Sequence, residues 1–443
     1  MAESAETGSA ETESTERGVG ERESAGSVVP SEAEGVAETS VAAAVVAVPA
    51  VPAAAAEVAV PTAAAAAEGT LPTTVAVAAA DGSLPDSPVS AGQPVSSAPR
   101  RRDAAALIVG VAVLLLAVLL ASFGGAANLP VGGVALALLD KLPFVHFSTG
   151  LSRMQQGILD EIRLPRVVLA VIVGALLAQA GAAYQGVFRN PLSDSGTIGA
   201  SAGAGMAATL VIVYGGGSEA SFGGIGAVPL AAFVGALAGV LASYLLGAVA
   251  VRGGGTATLI LAGVAVSSFL GSVQAFVMQG SSADVKRVYS WLFGDFSAAD
   301  WNPVHLALPY AVISILITLV HAKHLDVLAL GDDEAATLGL HPARTRLIIL
   351  GAASLATATA VAVSGIIGFV GLVVPHMVRR IAGPGHRLLL PMSLLVGGTF
   401  LVLADLVART VLSPAELPIG VVTSFFGGPF FVLILRATRR AER

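Results

Sequence analysis

From Arg100 onward the chain consists of ten apolar stretches, each separated from the next by a short polar break. They lie near 104–126, 167–187, 196–214, 227–251, 256–278, 304–322, 347–364, 365–378, 389–408 and 418–436. An apolar run of about 20 residues has the length of a helix that crosses a bilayer, and within hydrocarbon a helix satisfies its own backbone hydrogen bonds. The expected class is therefore an all-α polytopic membrane protein with about ten transmembrane helices. Composition agrees: 55% of residues are hydrophobic and 12% charged, half the roughly 25% charge of soluble domains. The eighth stretch is short. Its "SGIIGFVGLVVPH" is Gly-rich and ends at a proline, which reads as a tilted or broken helix buried by its neighbours.

Residues 1–99 are a different material. They hold 14 Asp and Glu against Arg17 and Arg22, whereas residues 100–443 hold 22 Lys and Arg against 16 Asp and Glu. The segment is rich in Glu, Ser and Thr to about Ser40 and then in Ala, Val and Pro, with no period on which to build a core, so a disordered cytoplasmic tail is expected. Its "VAAAVVAVPAVPAAAAEVAV" imitates a span, but Pro49 and Pro52 break it and Glu57 charges it. The acidic start lacks the basic n-region of a secretory signal. The chain thus divides into a tail, 1–99, and a ten-helix membrane domain, 100–443. There is no cysteine, which excludes disulfides and thiolate metal sites, and the seven histidines are scattered, so no metal site is expected.

Basic residues orient the domain. If Arg100, Arg101 and Arg102 face the cytoplasm, ten spans put both termini inside, with 15 Lys and Arg on the inner side and seven on the outer. The positive-inside rule selects this arrangement in a cytoplasmic membrane. The outer seven are Lys141, Arg153, Arg163, Arg166, Lys286, Arg287 and Arg409. Arg163 and Arg166 stand three residues apart at the mouth of the second span. Interfacial anchoring to membrane lipid is the plain reading for such a pair; the sharper one is an external dock for an acidic partner.

The second span carries small residues every four positions, Ala170, Gly174, Ala178, Ala182 and Gly186, which lets another helix approach closely. Gln179 and Gln185 in the same span either line a path or bond to a neighbouring helix. Of the acidic residues after the tail only Asp405 falls within a span, and Arg409 four residues on offers it a helical ion pair. This scarcity of buried acids counts against an ion-coupled secondary transporter, the competing class. Phosphate-cradling loops end in Gly-Lys-Ser/Thr, yet Lys141, Lys286 and Lys323 all follow residues other than glycine, so this chain is expected to be no enzyme and to use no cofactor of its own. Nothing points to nucleic acid.

The longer motifs are specific. "RLPR" at 163–166, "GALLAQAGAAYQGVFRNPLSDSGTIGASAGA", "WLFGDF", "LDVLALGDDEAATLGL", "GIIGFVGLVVPHMVRRIAGPGHRLLLP" and "ADLVARTVLSPAELPIGVVTSFFGGPFF" together resemble the FecCD family of ABC-transporter permeases, in order and spacing, over Arg102 to Arg440. Ser195 stands where the family usually has a second proline, and Asp332 where glutamate is usual. The resemblance implies a cobalamin-importer-permease-like bundle of ten helices. It also implies a second permease copy or related subunit, two ABC ATPase subunits that use the ATP, and an extracytoplasmic substrate-binding protein. The cargo would be a ferric siderophore, with cobalamin or haem as alternatives.

Residue by residue, the resemblance implies that Arg163, Arg166 and Arg409 receive acidic side chains of the binding protein, and that reversing the first two to glutamate abolishes docking without unfolding the chain. Arginine suits that role because its planar fork binds a carboxylate bidentately. The segment 328–340 would be a short helix seated on the ATPase, with Gly331, Asp332, Ala335, Leu338 and Gly339 as contacts. His376, Arg379 and Arg380 form a second candidate contact there. The fifth and tenth spans would line the passage, with Gly263, Ser267, Ser268, Thr423 and Ser424 as candidates. "RNPL" at 189–192 reads as a helix stop, since a residue before proline leaves the helical region.

Overall fold

The computed structural model describes residues 99–125, 129–141, 147–215, 221–222, 225–250 and 256–441. Apart from Pro99, the tail expected over 1–99 lies outside the described residues. Ten principal helices follow: α1 (Pro99–Phe123), α2 (Leu164–Phe188), α3 (Ala200–Tyr214), α4 (Ala227–Ala250), α5 (Thr256–Gln279), α6 (Trp301–Val320), α7 (Pro342–Ser364), α8 (Val370–Ala382), α9 (His386–Ala408) and α10 (Ile419–Ala441). Each of the ten apolar stretches overlaps one of them. Seven helical segments among the described residues, all but α3, α8 and α10, are long and apolar enough to cross a membrane. The only extended pairing there joins Ser221–Phe222 to Ile225–Gly226.

The bundle is arranged around α2. Of its most apolar stretch 83% is buried within the chain, against 17% for α1 and for α5. A helix that is apolar on every side belongs inside a bundle, and α6, α7, α8 and α9 pack around it. Between these helices, close contact supplies the attraction that hydrophobicity supplies in water. The small-residue stripe faces α9: a Cβ on Gly174 would fall 2.3 Å from the Gly397 carbonyl oxygen, and one on Gly186 would fall 2.7 Å from His386 Nε2. A second group, α3, α4 and α7, meets through Ala204, Ala208, Ala232, Ala236 and Ala358.

The eighth stretch is the broken helix that its glycines and proline suggested, with later bounds. Residues 365–368 are not helical, Phe369 takes a left-handed φ of 68°, and α8 begins only at Val370. Pro375 lies inside this helix. A proline in that position cannot donate to the carbonyl four residues back, which is Gly371. That carbonyl accepts instead from Gln185 Nε2 of α2 at 3.0 Å, and Arg379 Nη1, one turn further along α8, donates to Gln185 Oε1. Gln185 thus makes an interhelical bond, which is how a broken helix stays satisfied away from water. Gln179 Nε2 likewise reaches the Ile315 carbonyl of α6, at 3.4 Å.

Candidate functional site

The "RLPR" arginines stand where two helix types join. Residues Ile158–Arg163 form a π-helical turn that runs directly into α2, with Pro165 in the first turn of α2, where its missing N–H costs nothing. Arg163, Arg166 and Arg409 are 4%, 7% and 5% exposed. They are buried, not displayed.

Two of them close the end of α1. Arg163 Nη1 donates to the carbonyls of Ser122 and Phe123 at 3.0 and 2.8 Å. Arg409 Nη1 donates to the Gly124 carbonyl at 2.9 Å, and its Nη2 to that of Ala121. Four consecutive carbonyls that a helix end leaves without partners are thereby taken by two guanidinium groups, whose charge suits the negative end of the helix dipole. Gly125, with φ of 148°, makes room: a Cβ there would sit 2.9 Å from Arg163 Nη2.

Arg166 faces the other way. Its Nε and Nη2 reach Asp405 Oδ1 at 2.9 and 2.8 Å, while Nη1 reaches Glu416 Oε1 and Oε2 at 3.1 and 2.9 Å. Asp405 also lies 3.3 Å from Arg409 Nε, the pairing expected from their four-residue spacing. Three arginines and two carboxylates therefore meet in one cluster, buried except for the partly exposed Glu416, that links α1, α2, α9 and the 410–418 connection. Removing one of its buried members leaves uncompensated buried charge, at a cost of about 3–5 kcal/mol. The expectation that Arg163 and Arg166 can be reversed without unfolding the chain does not suit this geometry, because two glutamates would confront helix carbonyls and Asp405. Glu416 was missed by the sequence reading; it is the only acid between α9 and α10, which is the signal that was available.

At the opposite end of α2, Arg189 caps the helix in a left-handed conformation, φ 51°, the stop that "RNPL" suggested. Its guanidinium pairs with Asp332, which Arg346 of α7 also binds at 2.7 Å. The hydrogen bond from Arg346, aided by its charge and that of Arg189, holds the Asp332 carboxyl below the ordinary carboxylate range. Asp332 opens a short helix, Asp332–Thr337. Ala335 within it is fully buried, whereas Leu338 is 64% exposed and Leu330 is also exposed. Gly331 and Gly339 have φ of 138° and 82°, values that favour glycine. Nearby, His386 binds Asp326 through both its backbone N–H and Nδ1, at 2.8 and 2.7 Å, which ties the start of α9 to the helix Ala322–Leu328. His376 is half-buried and Arg380 exposed, while Arg379 is engaged by Gln185.

The five passage candidates separate. A Cβ on Gly263 would fall 2.1 Å from the Thr197 carbonyl oxygen, so this glycine serves a close backbone contact. Ser267 Oγ donates to the Gly196 carbonyl at 3.3 Å, and Thr423, fully buried, to that of Gly420 at 3.2 Å. Ser268 and Ser424 remain exposed, as do Phe269 and Phe276 of α5 and Phe425 and Phe426 of α10.

The chain is similar to known proteins. A model of the FecCD transport family matches residues 113–437. The cobalamin import system permease protein BtuC of Halobacterium salinarum is 42% identical over 311 residues, 70% of this chain and 80% of its own length. The iron(3+)-hydroxamate import system permease protein FhuG of Bacillus subtilis is 36% identical over 332 residues, 74% and 96% of the two chains. A solved chain described as a metal-chelate type ABC transporter, in an inward-facing conformation, superposes with a TM-score of 0.63 at 28% identity over 75% of this chain and 98% of its own. A bundle of this helix order, matched over most of its length by sequence and by fold, belongs to the FecCD transport family of ABC-transporter permeases.

Proposed function

We propose that this chain is the permease subunit of an ATP-driven importer in the cytoplasmic membrane, and that it passes a ferric siderophore inward by alternating access. The observation that carries this reading is the placement of charge on one helix. The centrally buried α2 begins at the Arg163–Arg166–Arg409 cluster and ends at Arg189, paired with Asp332 of the loop helix. One rigid rod therefore runs from a candidate dock to a candidate coupling surface.

With both termini cytoplasmic, the arginine end faces outward and receives an extracytoplasmic binding protein. The loop helix faces inward and seats on one of two separate ATPase subunits through Leu338 and its neighbours. Ser268 and Ser424 lie on helices whose exposed apolar residues a second permease, the same or related, would cover, leaving a passage with few charges between the two. ATP binding and hydrolysis belong to the partner subunits. A second reading, cobalamin as cargo, draws on the identity with the Halobacterium cobalamin permease.

Uptake of labelled ferric siderophores and labelled cobalamin by cells lacking their own permease tests both readings. The native chain, supplied with its ATPase and binding protein, should restore an iron signal that ATP depletion abolishes. Restoration of cobalamin uptake alone selects the second cargo. Uptake that survives ATP depletion but not collapse of the ion gradients removes the ATP-driven reading in favour of an ion-coupled secondary transporter.

A further inference from the structure

All three nitrogens of the Arg166 guanidinium are engaged: Nε and Nη2 by Asp405, and Nη1 by both oxygens of Glu416. The two carboxylates are unlike. Asp405 is 1% exposed, fixed on α9 one turn before Arg409. Glu416 lies on the connection between α9 and α10, and its side chain is 38% exposed. An arriving carboxylate can therefore gain the Arg166 fork only from the Glu416 side.

We propose that Glu416 is an exchangeable internal ligand: it occupies Arg166 while the permease is undocked, and a carboxylate on the docking protein takes its place. The proposal rests on the reading of the arginine end as a dock. Exchange of one carboxylate for another never leaves a buried guanidinium unpaired, so the large cost of baring that charge is avoided at every stage. It also selects the partner, which must offer an acidic side chain long enough to meet Nη1 with both oxygens.

The exchange has an outlet in the fold. Glu416 stands three residues before α10. Ile419 and Gly420, at the start of that helix, donate their N–H groups to the carbonyls of Gly294 and Phe293 at 3.1 and 2.8 Å, and Leu417 donates to the Ala408 carbonyl at 3.0 Å. Release of Glu416 removes the one side-chain tether in this short connection that reaches α2. Docking would thus loosen the entry to α10, the helix that carries Ser424.

The test uses the permease with its ATPase in lipid nanodiscs, titrated with the binding protein that stimulates its ATP hydrolysis. Glu416→Gln should bind that protein about fivefold to tenfold more tightly than the native chain, and Glu416→Asp, too short to hold Nη1 with both oxygens, should show a smaller gain. Glu161→Gln, which removes an exposed charge five residues before Arg166 without freeing a guanidinium, should change affinity by less than about twofold. In an Arg166→Gln background the Glu416→Gln gain should disappear, as a double-mutant cycle requires for coupled residues. Unchanged or weakened binding by both Glu416 variants overturns the proposal, as does an equal gain from Glu161→Gln or a gain that persists without Arg166. If the native permease binds no such protein, the dock itself fails and the proposal with it.

Discussion

The two ends of α2 carry the same chemistry in opposite surroundings. At its start Arg166 meets Asp405 with side chains 9% and 2% exposed; at its end Arg189 meets Asp332 with side chains 37% and 47% exposed. A buried pair has already met the cost of leaving water, so removing either partner exposes that cost in full. An exposed pair gives up little on being broken, since water and salt screen both charges. Desolvation therefore makes the first pair part of the framework and leaves the second available for contact. Glu416 lies between these extremes, on the framework cluster yet partly in water.

Asp405→Ala should break the comparison most sharply if it is mistaken. This change strands Arg166 and Arg409, and we expect a loss of about 3–5 kcal/mol, read as a large fall in thermal stability and in folded protein recovered from membranes. Stability close to that of the native chain would show that the arginine end is as forgiving as the other. Arg163→Glu with Arg166→Glu belongs with this case, so its loss of uptake must be judged against the amount of folded protein.

Gln185→Leu is the next in size. It leaves the Gly371 carbonyl and Arg379 without their partner in the packed region between α2 and α8, at a cost of about 1–3 kcal/mol. A melting temperature equal to that of the native protein would mean that the carbonyl freed by Pro375 finds another donor.

The smallest effect on stability is expected at the exposed end. Asp332→Asn should stay within about 1 kcal/mol of the native chain, while uptake falls if the loop helix couples to the ATPase. Because Arg346 and Arg189 lower the folded-state pKa of Asp332 below its ordinary 3.8, the contribution of this pair is present above that value. It is lost as pH falls through the lowered folded-state pKa. The difference in melting temperature between native and Asp332→Asn protein should be flat near neutral pH and shrink only below about pH 4. A difference that instead grows on acidification would reverse the assigned sign.

Much of this was legible in advance, for reasons that are local. The ten helices follow from ten apolar runs because a helix satisfies its own backbone hydrogen bonds in hydrocarbon, where water cannot. The Asp405–Arg409 pair follows from a four-residue spacing on one helix. The motifs "RLPR" and "LDVLALGDDEAATLGL" marked the two candidate surfaces. What escaped was burial. Charged residues next to predicted spans were read as displayed, whereas Arg163 and Arg409 turn inward to the carbonyls at the end of α1. Gly263 looked like room for cargo and is room for a neighbouring backbone. Pro375 marked a broken helix, but not that Gln185, on another helix, would fill the gap.

Hydropathy and spacing act along the chain, so they determine where helices begin, how many there are and which small residues share a face. Arg166 and Asp405 are 239 residues apart, Arg166 and Glu416 250, and Arg189 and Asp332 143. No periodicity links such positions. Only packing brings them within hydrogen-bonding distance, and only packing decides how much water each keeps, because exposure is a property of the assembled helices.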